Sequence, residues 1–522
     1  MATSRVFDTE IPRPPKRLPL AGDVLGMSLK TPVQNSMATH KALGPVFERT
    51  AFGRRFVFVS CGELHVRPAD GDDDQNAEQG GEGPGRRIGR RFPGQRMDAM
   101  RYVRTLENFE QEVIRGLEAD EELTQVIHDL FAKHLAPGVE ALRAIGGDGL
   151  FTAYNEEPNW RRAHELLMPA FTQQAMRRYH ATMLDVTAQL VAHWDRRARS
   201  GGDVDVAADM TKLTLETIGR TGFSYSFEPF DREERHPFVE AMVGGLSFSQ
   251  RSMLRTVPVV GRFLFPAAKR QYDLDRAHMH DVVDAVIRSR SDAPGPAPDD
   301  LLELMLRAAR EDDPHRLDPV NIRNQVLTFL VAGHETTSGA LSFALYYLMR
   351  DPRAYARARA EVEEVWGDGE PAFEQIAKLR YVRRVLDEAL RLWPTAPAYA
   401  REAKADTTLG GRYRMRAGDW VLVLLPAVHR DRAVWGDDAD EFDPDRFLPE
   451  RVRARPAHVY KPFGTGERAC IGRQFALHEA TLVLGTLLRR YDLTMDPGYR
   501  LKVAERLTLM PEGLHARVSF KS

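Results

Sequence analysis

Cysteine is almost missing from this 522-residue chain: Cys61 and Cys470 are the only two. So few thiols exclude a disulfide framework, a four-cysteine zinc site and an iron–sulfur cluster held by one chain. Long apolar runs are missing too. The longest, Trp420 to Val428, is about half of the ~18 residues a membrane-spanning helix needs, and mean hydropathy is −0.41. No membrane span is expected. Charge of one sign is also lacking: 73 basic residues face 75 acidic ones, for a net charge of −2. That removes the global electrostatic case for nucleic acid. Only 11 of the basic residues are lysine, a skew that fits GC-rich coding better than polyanion binding. The N-terminus has no apolar core of a secretory signal, so the expected location is cytoplasmic.

What is present is ordinary globular composition, 43% hydrophobic and 28% charged, and the length alone suggests about three domains. Pro12, Pro14, Pro15 and Pro19 favour an extended arm over residues 1–25. Phe47 to Cys61 mixes β-branched and aromatic residues around Gly53 and reads as a hairpin. From about 67 to 100 the chain turns Gly-, Asp- and Arg-rich with few apolar residues, which predicts a disordered insertion. Beyond residue 100 the apolar spacing is mostly helical. A proline-rich stretch, Asp292 to Asp300, reads as an exposed loop. Asp318-Pro319 then supplies an N-cap and first-turn proline for a long helix to about Arg350. Another helix is expected over Phe373 to Leu392, and a strand over Trp420 to Leu425.

Cys470 stands in Lys461-Pro-Phe-Gly-Thr-Gly-Glu-Arg-Ala-Cys-Ile-Gly472, framed by Gly464, Gly466 and Gly472. An apolar helix is expected from Arg473 to Tyr491. The cysteine therefore sits at a helix N-terminus with Arg468 two residues before it, and dipole and cation both favour a thiolate. A nucleophile would need a base, and only His478, two turns on, offers one. A metal ligand fits better.

Phe463-Gly-Thr-Gly-Glu-Arg-Ala-Cys470-Ile-Gly472 resembles the haem-binding loop of the cytochrome P-450 monooxygenases. The resemblance implies a mainly α fold with small β-sheets, one large haem domain over residues 26–522, and haem b (iron protoporphyrin IX) as cofactor. Cys470 would be the axial thiolate ligand of the iron, which favours O–O cleavage. Phe463 and Gly464 would lie against the cofactor.

Three further patterns agree. Glu388 and Arg391, at i, i+3, share a helical face; alone, such a pair is usually a surface contact worth ~0–1 kcal/mol. In the resembling family they would join Arg446, from Phe442-Asp-Pro-Asp-Arg446-Phe447, in a buried network bracing the cysteine loop. Ala332-Gly-His-Glu-Thr-Thr337 lies in the middle of the long helix. His334-Glu335 invites a zinc-protease reading, but the second histidine this needs is Ser338. A glycine and an acid–alcohol pair are costly in an apolar helix. In the family, Ala332 and Gly333 leave dioxygen room, and Glu335 with Thr336 passes protons. Finally, Trp160 and His164, at i, i+4, both offer N–H donors. By resemblance they bind a haem propionate, with Arg468 and Arg401 as further partners.

Gly147-Asp-Gly-Leu-Phe-Thr152 and the stretches around these motifs resemble one subgroup, the haem domain of bacterial self-sufficient fatty-acid hydroxylases. That implies hydroxylation of a medium- to long-chain fatty acid with O2. Phe151 would stand over the haem, Ala332 and Ala396 would line the pocket, and Arg54 with Phe58 would lie at its mouth. Phe58 aligns with a carboxylate-binding tyrosine and lacks the hydroxyl. The chain ends just past the haem domain, so electrons from NAD(P)H are expected through a separate flavin reductase or ferredoxin system. The region 244–269 has its own sequence, which keeps a natural-product substrate open. A peroxygenase and a non-catalytic haem-thiolate sensor are the rivals, and neither needs Glu335-Thr336.

Overall fold

The computed structural model describes residues 11–14, 23, 28, 31–51, 54–60, 66–68, 131–134, 137–230, 236–251, 266–292, 297–311, 313–409, 413–455, 459–464, 466–505 and 508–521. Most of the expected arm, Cys61 and the expected insertion from residue 69 onward lie outside them.

The longest helix, Pro319–Arg350, is the axis of the molecule. Asp318 caps it by accepting from the Asn321 amide at 2.9 Å, and Pro319 opens the first turn. Of its 32 residues 22 are buried, too many for a single apolar stripe. It packs most extensively on the Val206–Phe223 helix, and the main core gathers around both. Asp351 ends it and caps the next helix, Pro352–Trp366, by accepting from the Arg353 and Ala354 amides at 2.9 and 3.0 Å.

The helix expected over Phe373 to Leu392 is two pieces, Phe373–Ile376 and Arg380–Leu392. The second begins afresh because the Glu361 carboxylate, from the Pro352–Trp366 helix, accepts from the Tyr381 and Val382 amides at 2.7 to 2.9 Å. A neighbouring carboxylate thus satisfies the free first-turn donors that a local cap would otherwise serve.

Among the described strands, a five-stranded sheet runs Val46–Ala51, Arg54–Val59, Trp420–Leu424, Ala398–Ala403, Phe131–His134. The first pair is the expected hairpin, with Phe47 opposite Phe58. The second strand joins Trp420–Leu424 in parallel, with Phe56 beside Trp420, and the other pairings are antiparallel. Three smaller sheets complete the β content. No helix among the described residues is long and apolar enough to cross a membrane.

The Arg473–Arg490 helix, which follows the cysteine loop, is seated against Trp366. A Cβ at Gly485 would lie 2.3 Å from the Trp366 ring, and both residues are in the interior. Gly485→Ala is therefore expected to cost about 1–3 kcal/mol through overpacking. Urea unfolding of the variant beside the parent measures this.

Candidate active site

The cysteine loop is built backbone first. Gly464 and Gly466 both take φ +68°, a conformation closed to most side chains. The Cys470 amide donates to the Phe463 carbonyl at 2.8 Å, the Ala469 amide to Gly466 at 3.0 Å, and the Gly464 amide to Lys461 at 3.0 Å. Cys470 is accessible to solvent yet closely surrounded by protein. Burial pushes its thiol up, against the Gly472 amide and the Arg473 cation, which act the other way. This corrects the expectation that Arg468 is the cation favouring the thiolate. The nearby cation is Arg473, and Arg468 is engaged elsewhere.

Arg468 lies over the Trp160 ring at 4.5 Å, and its Nη2 donates to the Ala153 carbonyl at 2.6 Å. Its Nη1 is buried without a hydrogen-bond partner among the described residues. Burial lowers this guanidinium to about 10; Glu467 pulls it back up, and Arg401 pushes it down further. Trp160 and His164 stack with centroids 5.2 Å apart. Burial also lowers the His164 pKa, which leaves a neutral imidazole at pH 7. Arg401 lies over Tyr399 at 4.9 Å and donates to the Ala400 carbonyl at 3.2 Å. The fold thus brings Trp160, His164 and Arg468 together, with Arg401 near enough to act on the Arg468 charge.

Midway along the buried central helix, Ala332 is exposed and Val331, Gly333 and Thr336 are half-buried. Thr336 Oγ1 donates to the Ala332 carbonyl at 2.8 Å. Glu335 is buried, and its Oε2 accepts from Thr508 Oγ1 at 2.8 Å. Nothing in the sequence marks Thr508, which comes from a strand connection near the C-terminus. Gly333 departs from expectation: a Cβ there would meet Ile218 Cγ1 at 3.2 Å. Its missing side chain lets the Val206–Phe223 helix approach, and the exposed residue at this level is Ala332.

Phe151 is 41% exposed, and Ala396 is exposed between buried Thr395 and Pro397. Phe58, by contrast, is no mouth residue. It is 6% exposed and stacks on Phe47 at 4.8 Å, in a cluster with Phe56 and Trp420. Strand alternation puts Phe56 and Phe58 on the same face, and that face is packed. The Arg54 side chain lies outside the described residues.

Glu388 and Arg391 are both wholly buried. Arg391 donates from Nε to Glu388 Oε2 at 2.6 Å and from Nη2 to Oε1 at 2.8 Å. Its remaining N–H groups go to the carbonyls of His429, Ala439 and Glu441 at 2.6 to 2.9 Å. All five guanidinium donors are thereby used. Arg446 joins through Nε, 3.4 Å from Glu388 Oε1, and bonds the Trp435 and Asp438 carbonyls. His429, unnoticed in the sequence, carries the network to the cysteine loop, because its Nε2 accepts from the Lys461 amide at 3.2 Å. Burial holds the His429 pKa well below its ordinary value, and the Lys461 amide donor places the neutral ring's one proton on Nδ1.

A family model described as Cytochrome P450 matches residues 110–515. The chain is 46% identical over 389 residues to a bifunctional cytochrome P450/NADPH–P450 reductase of Bacillus cereus, covering 74% of this chain and 36% of that protein. It is 46% identical over 382 residues to a second such protein, from Bacillus subtilis, covering 73% and 36%. A self-sufficient cytochrome P450 monooxygenase of Phanerodontia chrysosporium is 35% identical over 508 residues, 96% of this chain and 42% of that one. The chain spans about a third of the length of the first curated relatives it matches. With a haem-thiolate type of loop in a mainly helical fold, it belongs to the cytochrome P450 family. The family's cofactor is haem b.

Proposed function

We propose that this chain is the haem domain of a monooxygenase that hydroxylates a medium- to long-chain fatty acid. One atom of O2 enters a C–H bond and the other leaves as water. The two electrons come from NAD(P)H through a reductase of the kind named in the relatives. The observation that carries the reading is the pairing of an accessible cysteine with a guanidinium whose buried Nη1 has no partner among the described residues. That donor set fits haem b: Cys470 Sγ for the iron, and Arg468, Arg401, Trp160 and His164 for its two propionates. A buried N–H donor left without an acceptor is costly until one meets it.

The cofactor, when bound, supplies oxygen activation. The chain supplies the rest. Thr336 Oγ1, half-exposed beside Ala332, holds a transferable proton, and the Glu335 carboxyl one residue away, held by Thr508, restocks it. Phe151, Val331, Ala332 and Ala396 are accessible apolar groups suited to an alkyl chain. A cytoplasmic location agrees with this chemistry.

Titration of the haem-loaded protein with fatty acids of increasing length tests the substrate class. A saturable spin-state shift is expected with medium and long chains, and silence across the panel overturns the lipid reading. Turnover with NADPH and a surrogate reductase, but not with peroxide alone, is expected from the Glu335-Thr336 pair and would separate a monooxygenase from a peroxygenase or a sensor.

A further inference from the structure

The central helix buries three carboxamides in two turns: Asn321, Asn324 and Gln325 are at most 6% exposed. Each would cost stability if left unsatisfied. All three are met by one loop, residues 147–155, which carries Phe151. Asp148 Oδ1 accepts from Asn321 Nδ2 at 2.8 Å and from Asn324 Nδ2 at 2.9 Å. Its Oδ2 accepts from Asn159 Nδ2 at 2.7 Å. Gln325 Oε1 accepts from the Leu150 amide at 2.9 Å, and its Nε2 donates to Asn321 Oδ1 at 2.8 Å.

Glycines on both sides of Asp148 make the seat possible. A Cβ at Gly147 would lie 2.2 Å from Asn324 Nδ2, and one at Gly149 would lie 2.2 Å from Thr328 Oγ1 and 2.7 Å from the Asn324 carbonyl. The loop backbone therefore rests directly on the helix. Its far end is tied to the cysteine loop, through Arg468 Nη2 to the Ala153 carbonyl and Asn155 Nδ2 to Glu467 Oε1 at 3.3 Å. Phe151 lies between the two anchors, three residues from Asp148.

We propose that Asp148 is a positioning residue that sets the orientation of Phe151 by clamping its loop to the central helix. This rests on the reading of Phe151 as a pocket residue above the haem. Three amide N–H groups converge on the carboxylate, so only an acceptor fits there. Burial pushes the Asp148 pKa up, but the three carboxamides pull it further down, so the net shift favours the carboxylate. The Gly-Asp-Gly sequence is thus a specificity device as well as a turn.

Asp148→Asn keeps the shape but sets N–H against N–H. In the haem-loaded protein, the carbon-monoxide signature is expected to stay parental, because the Arg468 anchor is untouched. The ratio of 4-phenylimidazole to imidazole affinity, which reads the space above the iron without a fatty acid, is expected to shift by roughly fivefold, in the direction given by Phe151→Ala. Adding Asn324→Asp restores a carboxylate–carboxamide pair and returns the ratio toward the parent. Asn159→Ala, a milder variant that serves if Asp148→Asn does not fold, shifts the ratio the same way by less. A parental ratio in the clamp variants beside a shifted Phe151→Ala overturns the positioning role alone. No shift in Phe151→Ala overturns the placement of Phe151 and the clamp's role with it.

Discussion

Glu388→Ala is expected to yield almost no haem-loaded protein. Arg391 sits fully buried with five N–H donors, two of them on Glu388 and three on the carbonyls of His429, Ala439 and Glu441. Removing the carboxylate leaves an uncompensated buried cation, a loss of about 3–5 kcal/mol. A domain of typical stability, ~5–15 kcal/mol, cannot absorb much more than that. The Asp443 amide, 2.9 Å from Glu388 Oε1, loses its acceptor as well. The damage passes to the cysteine loop, because Arg391 holds the carbonyl of His429 and the His429 ring holds the Lys461 amide. Arg391→Lys is expected to fail nearly as badly, since one ammonium cannot replace a five-donor fork. Asp203→Ala is the control. Its partner Arg517 is 70% exposed at 3.4 Å, and losing such a pair costs about 0–1 kcal/mol. Haem-to-protein absorbance ratio and urea unfolding measure both. Normal haem content in Glu388→Ala would remove the network from any supporting role.

The parts readable from sequence are those whose partners lie nearby along the chain. Asp318 and Pro319 mark the start of the central helix because a cap acts within three residues. The Phe47–Phe58 hairpin is readable because both strands and the turn are contiguous. What escaped depends on distant partners. Glu361 caps a helix that begins at Arg380, a service no local signal announces. Alternation shows that Phe56 and Phe58 share a face, but not that Phe47 and Trp420 already cover it. Proximity in sequence points to Arg468 as the cation beside Cys470, yet that side chain turns to Trp160, and Arg473 takes the place. His429, Thr508 and the Asn159, Asn321 and Asn324 amides are ordinary residues in ordinary helices and loops until the chain folds back on itself. Family resemblance carried the chemistry; the supporting contacts came from packing.

Cys470→Ser is expected to keep the fold and abolish the red-shifted carbon-monoxide difference spectrum of the reduced protein. The loop owes its shape to Gly464, Gly466 and the backbone bonds from Cys470 to Phe463 and from Ala469 to Gly466, none of which involves the sulfur. Serine is nearly isosteric, so the loop persists while a soft, electron-donating ligand gives way to a hard, weakly donating one. The loss of activity should exceed the roughly 10–100-fold that follows removal of a mere supporting partner. Far-UV dichroism and urea unfolding close to the parent would show that the change is electronic and not a collapse of the loop. Cys61→Ser is the necessary control in a chain with only two thiols, and it is expected to keep the parental spectrum. A thiolate signature surviving in Cys470→Ser, and lost in Cys61→Ser, would move the ligand to the other cysteine. With the ligand would go the assignment of Trp160, His164 and Arg468 to the propionates, since Arg468, which lies over Trp160, belongs to the loop that Cys470 closes.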